Sequence, residues 1–359
     1  MKRRHFISGV GAATVAAGIT ATRPTQAQER VKWKMATTWP RNFPGLGRGA
    51  NYLAKLIEEM SAGRISVQVY GENELVKAVE VFDAVSQGEV QMGHGTAFYW
   101  QHKSNAAQFF SAVPFGLTAQ EMNAWLYHGD GMELWEELYA QYNVIPGATG
   151  NTGVQMGGWF NREINSVSDL QGLKMRIPGL GGEVWKRAGG EPVMLAGGEI
   201  FMALEAGNID AAEWVGPYND MALGLHKAAR YYYYPGWHEP GTTLECIINK
   251  QAFLSLPSDL QSIVKNAIRV ANQDMLAEFT AKNNRALEQL VRLHKVELRR
   301  FPDEVLIKLR QLSDELVSEQ VKDDPVGQRV RDSFTHFRQQ VSQWHQVSEL
   351  AYMQARNLP

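Results

Sequence analysis

The feature that most constrains the fold is an alternation of short β-type runs and amphipathic helical stretches that begins near residue 30. Apolar, β-branched runs occur at Val31 to Thr37, Ile65 to Tyr70 and Val90 to Gly95. Between them, Leu46 to Met60 and Leu75 to Gln87 carry apolar residues at spacings of three and four, which is typical of helices. A βαβαβ order predicts a parallel sheet with helical crossovers.

A second alternation follows a helical stretch at 119–142. Its strand candidates are Val144 to Ala148, Val154 to Phe160, Leu173 to Ile177, Pro192 to Leu195 and Ile209 to Trp214. Beyond Pro257 the strand patterns nearly stop and long amphipathic patterns run to the end. We predict an α/β fold of the periplasmic-binding-protein type, with two lobes, a ligand cleft between them and long C-terminal helices.

The domain boundaries follow from the same pattern. We assign residues 28–150 mainly to the first lobe, 151–250 mainly to the second, and 251–359 to a helical segment that packs on both. Ligands of open α/β sheets bind at the carboxyl ends of strands. Functional residues are therefore expected just after strand ends.

Residues 1–27 have the pattern of a targeting segment. Arg3 and Arg4 precede an apolar run at Phe6 to Thr22, and small residues stand at Thr25 and Ala27. This pattern predicts a signal peptide that is removed by cleavage before Gln28. The arginine pair is typical of twin-arginine export. The general secretory route stays open as an alternative. Either route leads out of the cytoplasm, and we expect a periplasmic protein.

Charge and cysteine content exclude several classes of protein. Removal of the four basic residues in 1–27 leaves 32 Lys and Arg against 38 Asp and Glu. A mildly acidic chain is a poor candidate for nucleic-acid binding, which needs clustered basic residues. The single cysteine, Cys246, excludes an intrachain disulfide and a thiolate zinc cage.

Enzyme motifs are scarce. The sequence contains no GxSxG nucleophile motif, no Gly-Lys pair of a phosphate loop and no zinc-helix motif. Gly45 to Ala50 matches GxGxxA at the start of a helix, which leaves an exported dinucleotide-dependent oxidoreductase as the alternative function. However, Thr38 to Pro44 separates this motif from the preceding strand, which favours a glycine-rich loop that begins a helix.

A longer motif carries more information. Ser166 to Gly179, with the sequence SVSDLQGLKMRIPG, resembles the DLxGLKxRxPG signature of the solute receptors of tripartite ATP-independent periplasmic (TRAP) transporters. Gly190 to Val193 and Ala203 to Glu213 also match that family's pattern, and the resemblance covers essentially the whole mature chain. It implies a non-enzymatic receptor that delivers its ligand to TRAP membrane subunits.

Within this family, one branch is most similar. Gln155, Arg176, Glu213-Trp214 and the block Trp237 to Gly241 resemble the receptors that bind 2-oxo or 2-hydroxy monocarboxylates together with a metal ion. The resemblance implies a pyruvate-type ligand.

Arg176 is the predicted anchor of the ligand carboxylate. It ends a predicted strand in which Leu173, Met175 and Ile177 alternate with it, so its side chain can face the cleft while theirs fill the core. A guanidinium binds a carboxylate through two parallel hydrogen bonds. The competing interpretation is a surface arginine in a salt bridge.

Two acidic residues predict a cation site. Glu213 ends another predicted strand, and Glu239 precedes a Pro-Gly turn. Two carboxylates in a pocket for an anion repel it unless a cation lies between them. Oxygen ligands from Glu213, Glu239 and Gln155, and a backbone carbonyl that the resemblance assigns to Trp214, select Na⁺ or Ca²⁺, and we expect Na⁺. Alternatively, the two glutamates are separate solvated acids.

Other residues are weaker candidates. Tyr99 and Trp100 follow a predicted strand and could wall the pocket, while Asn151, Tyr218 and Asn219 could donate hydrogen bonds near strand ends. We expect four tyrosines, at 231–234, to serve packing. The histidines at 94, 128, 226 and 238 lack ligand spacing and are expected to be structural or exposed.

The C-terminal segment carries an apolar stripe. Val330, Phe334, Phe337, Val341 and Trp344 recur at spacings of four, three, four and three, which is a heptad-like pattern on one helix face. Residues with this pattern must be covered, either by the chain's own lobes or by a second subunit. The resemblance favours a homodimer held by this helix.

Overall fold

The computed structural model describes residues 30–358, so the predicted signal peptide at 1–27 lies outside the described residues. The strands are β1 (Val31–Thr37), β2 (Ile65–Tyr70), β3 (Met92–Gly95), β4 (Val144–Asn151), β5 (Gly158–Phe160), β6 (Lys174–Arg176), β7 (Glu191–Val193), β8 (Ala211–Ala212), β9 (Tyr231–Tyr234), β10 (Thr243–Asn249) and β11 (Glu297–Arg300).

Helices connect these strands and form the C-terminal part of the chain. They are α1 (Leu46–Met60), α2 (Val81–Gln87), α3 (Ala119–His128), α4 (Gly131–Ala140), α5 (Gly179–Arg187), α6 (Gly197–Glu205), α7 (Pro217–Leu223), α8 (Lys250–Leu254), α9 (Ser258–Arg292), α10 (Asp303–Glu319), α11 (Pro325–Val347) and α12 (Glu349–Arg356). Within residues 30–358, no helix combines the length and the hydropathy needed to cross a membrane.

The strands form two sheets, as expected for a two-lobed α/β protein. The first sheet has the order β2-β1-β3-β10-β4. In it, β1 pairs in parallel with β2 and β3, which confirms the βαβαβ start, and β10 inserts antiparallel between β3 and β4. Thus residues 243–249 lie in the first sheet, although they follow the strands of the second sheet in the chain.

The second sheet has the order β11-β9-β5-β8-β6-β7. Its strands are short, and only two residues of the stretch predicted at 209–214 form β8, because the chain turns into the cleft after Ala212. The edge strand β11 is the last strand in the chain and comes from the mainly helical C-terminal region. In β9, Tyr232 stacks on Trp159 with ring centroids 3.9 Å apart, which agrees with the packing role expected for the tyrosine run.

The 35-residue helix α9 joins the two lobes. Its first half, including Val264 and Ala267, packs into the core that covers the first sheet. Its second half, including Phe279 and Leu290, packs into the core that lies against the second sheet. The helix therefore packs against both lobes and connects them.

The C-terminal stripe divides into a covered part and an exposed part. Val330 and Phe334 are buried, and Phe337 and Val341 pack against the same core. Trp344 is 63% exposed. The first half of α11 is thus covered by the chain's own first lobe, whereas its end and α12 project beyond it.

Phe334 should anchor α11 to the first lobe. Its ring meets the rings of Phe109 and Trp125 edge to face, at 5.7 and 5.2 Å. We expect Phe334→Ala to lower the free energy of unfolding by about 3–5 kcal/mol, because it leaves a cavity in a packed core. Ile307→Ala, at a position 58% exposed on α10, should change it by less than about 0.5 kcal/mol. Urea denaturation followed by circular dichroism measures both, and equal effects would contradict the anchoring role.

Candidate functional site

A cavity with about 310 Å³ of empty volume lies where the strand ends of the two sheets face each other. Its walls come from the segments that follow β1, β3, β4, β6 and β8, and from the segment before β10. The lining residues are Trp39, Leu46, Thr96, Phe98, Tyr99, Thr152, Gln155, Arg176, Pro178, Trp214, Val215, Glu239, Thr242 and Leu244.

Arg176 is the buried cation of this cavity. It ends β6, is 1% exposed, and its Nη1 donates to the Glu213 carbonyl at 2.8 Å and to the Glu213 carboxylate. Its Nε donates to the Leu195 carbonyl at 3.3 Å, and the guanidinium lies 5.1 Å from the centre of the Trp214 ring. Among the described residues, none accepts a hydrogen bond from Nη2. The Nη2 group of the guanidinium therefore remains available to donate hydrogen bonds to an anion in the cavity.

Three buried side chains beside Arg176 could hold a metal ion. Ligand atoms of Glu213, His238 and Glu239 all lie within 4.8 Å of one another. His238 Nε2 is 3.3 Å from a carboxylate oxygen of Glu213. The Gln155 amide nitrogen donates to Glu239 at 2.8 Å, and its oxygen, Oε1, has no hydrogen-bond partner among the described residues. The oxygens of Gln155, Glu213 and Glu239 form a donor set that suits a hard cation.

The neighbouring Glu213 carboxylate disfavours the charged form of Glu239. Burial, followed by repulsion from Glu213, raises the pKa of Glu239 to about 7. The Thr242 hydroxyl donates to Glu239 and opposes this shift. A cation between the carboxylates would favour the charged form of Glu239 and release its proton.

The aromatic wall is shared between the lobes. Trp214, from the second lobe, meets Trp39 and Phe43 of the first lobe edge to face at 6.3 and 6.2 Å. Tyr99 lies 6.2 Å from Trp39, and burial raises the pKa of its hydroxyl to about 12, an effect that the charge of Arg176 opposes. The Tyr99 hydroxyl is therefore neutral and can donate a hydrogen bond.

The structure brings together most of the predicted site residues. Arg176, Gln155, Trp214, Tyr99 and Glu239 line the cavity. Glu213 lies directly behind this wall, where it pairs with Arg176. The interpretation of the two glutamates as separate solvated acids is wrong, since both are buried and their carboxylates are neighbours.

Three candidates lie outside the cavity wall and have other partners. Asn151 donates to the Gly241 carbonyl at 3.0 Å and accepts from the Gly153 amide, so it shapes the turn after β4. Trp100 is buried and donates to the Glu245 carboxyl. Asn219 donates to the Pro44 carbonyl at 2.9 Å. Position after a strand end identified the correct edge of the sheet but not the direction of these side chains.

Sequence reasoning missed some residues of the site. Trp39 comes two residues after β1 and could have been found by the same strand-end rule, whereas Thr242 and Leu244 carry no such pattern. His238, which was expected to be structural or exposed, is buried, with Nε2 3.3 Å from a carboxylate oxygen of Glu213. Its proximity depends on the turn that folds 237–241 back against the second lobe.

The glycines of the GxGxxA match serve helix packing. Gly45 has φ 67°, and a Cβ there would lie 2.7 Å from the Phe279 ring. A Cβ at Gly49 would lie 2.1 Å from the Met275 side chain. The small residues therefore allow α1 to approach α9, which accounts for the motif without a dinucleotide.

These features define a two-lobed α/β protein whose inter-lobe cavity combines a buried guanidinium with buried carboxylates. A family model described as bacterial extracellular solute-binding protein, family 7, matches residues 35–324. The chain belongs to this family of TRAP solute-binding proteins. It is thus a periplasmic transport receptor, not an enzyme, and nothing supports the oxidoreductase alternative.

Three relatives are particularly similar. A monocarboxylate 2-oxoacid-binding periplasmic protein of a Nostoc species is 43% identical over 98% of each chain. A TRAP solute-binding protein from Pseudoalteromonas atlantica, solved with sodium and pyruvate, has a TM-score of 0.88 and 43% identity over 90% of this chain and 99% of that one. A TRAP solute-binding protein from Bordetella bronchiseptica has a TM-score of 0.89 and 35% identity over 91% and 97%. It was solved as a dimer of mixed occupancy, with calcium and picolinate in the occupied site.

Cation binding should depend on pH through Glu239. Its pKa of about 7 means that protons compete with the cation, so Ca²⁺ affinity should fall about tenfold between about pH 8 and pH 6. Without the ion, the folded state keeps a proton that the unfolded state releases, so stability should fall as pH rises from about 4.5 to about 7. Calorimetric titration with Ca²⁺ at both pH values tests the first expectation.

Glu239→Gln is the control for this titration. It should bind Ca²⁺ weakly at both pH values and with little pH dependence. If the wild type and Glu239→Gln showed the same pH dependence, another group would be responsible.

Proposed function

We propose that this receptor captures a small 2-oxo or 2-hydroxy monocarboxylate, with pyruvate as the first candidate, together with a metal ion, and presents it to TRAP membrane subunits. The observation that carries the proposal is that one enclosed cavity combines a buried guanidinium with a buried cluster of oxygen donors. Arg176 supplies the first, and Gln155, Glu213 and Glu239 supply the second.

The chemistry of a 2-oxo acid suits both halves of this site. One carboxylate oxygen can accept from the guanidinium of Arg176. The other carboxylate oxygen and the C2 carbonyl oxygen can chelate one cation in a five-membered ring. A simple fatty acid lacks the second oxygen, so the cation would select against it. The names and bound ligands of the Nostoc and Pseudoalteromonas relatives support this class of ligand.

We propose Na⁺ as the ion. Arg176 offsets the charge of Glu213, which leaves Glu239 as the uncompensated protein charge at the ion. Sodium is the ion in the Pseudoalteromonas relative, whereas calcium occupies the Bordetella relative. The Trp214 carbonyl remains the proposed fourth protein ligand.

Two further parts of the proposal concern export and domain organisation. Residues 1–27 would direct the chain through the twin-arginine route. The first lobe would comprise mainly 28–150, the second mainly 151–250, and 251–359 would pack on both and supply a dimer helix.

Arg176 should be necessary for ligand binding. We expect Arg176→Ala to weaken pyruvate binding by about 2–5 kcal/mol, which is about 30-fold to several-thousand-fold in Kd, because it removes a charged contact in a desolvated cleft. Arg176→Lys should be almost as damaging, because one ammonium cannot reproduce the fork. Isothermal titration with pyruvate in Na⁺, in Ca²⁺ and in buffer without either ion measures these affinities.

Arg187→Ala is a matched control, since Arg187 lies on α5 of the same lobe and pairs with Glu319 at the surface. It should bind pyruvate as the wild type does. Pyruvate binding by Arg176→Ala within threefold of the wild type would contradict the assignment, and unchanged wild-type affinity without the ions would remove the cation from the proposal.

We also propose that the receptor is a homodimer. The end of α11 and α12 present a group of exposed apolar side chains, namely Trp344, Val347, Leu350, Tyr352 and Met353. A patch of this kind marks a protein interface, and the dimeric state of the Bordetella relative supports a second copy as its occupant.

Sedimentation equilibrium at micromolar concentration should give about twice the monomer mass. Trp344→Glu with Leu350→Glu should give the monomer mass, because buried charges without partners oppose association. As a control, Ile307→Glu, at an exposed position on α10, should leave the dimer intact. A wild-type monomer at tens of micromolar would contradict the proposal.

A further inference from the structure

A partly buried hydrogen bond joins the two lobes next to the cavity. The Asn219 side-chain nitrogen, Nδ2, donates to the Pro44 carbonyl at 2.9 Å. Asn219 lies on α7, which follows β8 of the second sheet, and Pro44 lies between β1 and α1 of the first lobe. Asn219 is fully buried, whereas Pro44 is partly exposed, so the bond lies at the partly buried boundary between the lobes.

The second-lobe side of this bond is rigidly held. Asp220, the next residue, accepts hydrogen bonds from the Trp159 indole nitrogen at 2.9 Å and the Tyr232 hydroxyl at 2.7 Å. These partners belong to β5 and β9 of the second sheet. Asp220 also accepts from two backbone amides at the start of α7. The position of Asn219 is therefore fixed to the second lobe.

The first-lobe side of the bond belongs to the cavity wall. Pro44 is followed closely by Leu46, which lines the cavity and begins α1. Phe43, the residue before Pro44, contacts the Trp214 ring across the same boundary between the lobes. The Asn219 bond thus ties the segment that carries Leu46 to the lobe that carries Arg176.

Asn219 makes this link without lining the cavity. Its side-chain oxygen, Oδ1, has no hydrogen-bond partner among the described residues. A buried amide oxygen without a partner costs free energy, whereas the amide nitrogen gains the hydrogen bond to Pro44. Opening of a hinged receptor at this boundary would separate the two groups and expose both to water.

We propose that Asn219 is a positioning residue that stabilises the closed state and thereby sets how long the ligand stays bound. The proposal rests on the proposed function, because it needs a ligand enclosed by lobe closure. Association depends on the open state, in which the bond is absent. Dissociation requires reopening, which breaks the bond.

The test compares rates with melting temperatures, using pyruvate in Na⁺ buffer. For Asn219→Ala, stopped-flow tryptophan fluorescence should show dissociation about 2- to 12-fold faster, the factor for the loss of one partly buried hydrogen bond. The association rate constant should stay within about twofold. The Tm without ligand should be unchanged, and the Tm with saturating pyruvate should fall. Asn219→Leu should show the same changes as Asn219→Ala. Because leucine has nearly the volume of asparagine, this variant separates the loss of the hydrogen bond from the effect of a cavity.

Asn272→Ala is the matched control. Asn272 is also buried, donates a single side-chain hydrogen bond, to Asn123 at 2.7 Å, and has an unpartnered oxygen among the described residues. It lies on α9, away from the boundary between the lobes. Its substitution should therefore lower the Tm equally with and without pyruvate, and it should leave the dissociation rate unchanged.

The outcomes separate this inference from the proposed function. If the wild type shows no binding of pyruvate, the proposed function fails. If the wild type binds but both Asn219 variants dissociate at its rate, or lower the Tm equally in both states, Asn219 has only a structural role and the inference is overturned.

Discussion

The site depends on the pairing of a guanidinium with a carboxylate away from water. Arg176 and Glu213 are both about 1% exposed, and either charge alone would carry a large desolvation penalty. Glu213 accepts from Nη1 of Arg176 through its carboxylate and its backbone carbonyl, and the Leu195 carbonyl accepts from Nε, which leaves Nη2 for an anion. The guanidinium is therefore fixed in direction before an anion arrives, and little ordering is left for binding to accomplish.

Contact between the lobes strengthens the electrostatic interactions of these charged groups. The cavity has charged and amide groups on the second-lobe side and mainly apolar groups, such as Trp39 and Leu46, on the first-lobe side. The first lobe excludes water from the charges of the second, which strengthens every electrostatic contact inside. The edge contact of Trp39 with Trp214 and the long helix α9 hold the two lobes in this arrangement.

Much of this arrangement could be predicted from the sequence. The hydrophobic periodicity predicted β1, β2 and α1 with their observed bounds, and the motif around Arg176 identified a strand end that lies at the cavity. The rule that ligands lie after strand ends selected Tyr99, which lines the cavity. It also selected Asn151 and Trp100, which have other partners, because the rule specifies an edge of a sheet and not the direction of each side chain.

Local pattern alone determined the α/β class, the strand-end location of the site and the residue types able to hold an anion and a cation. Tertiary structure decided that β10 returns to the first sheet, that His238 lies against Glu213, and that Asn219 contacts Pro44. It also divided the C-terminal stripe, burying Phe334 and leaving Trp344 exposed. The physical reason is that periodicity records which side chains share a face, whereas the partner of that face is set by contacts between residues far apart in the chain.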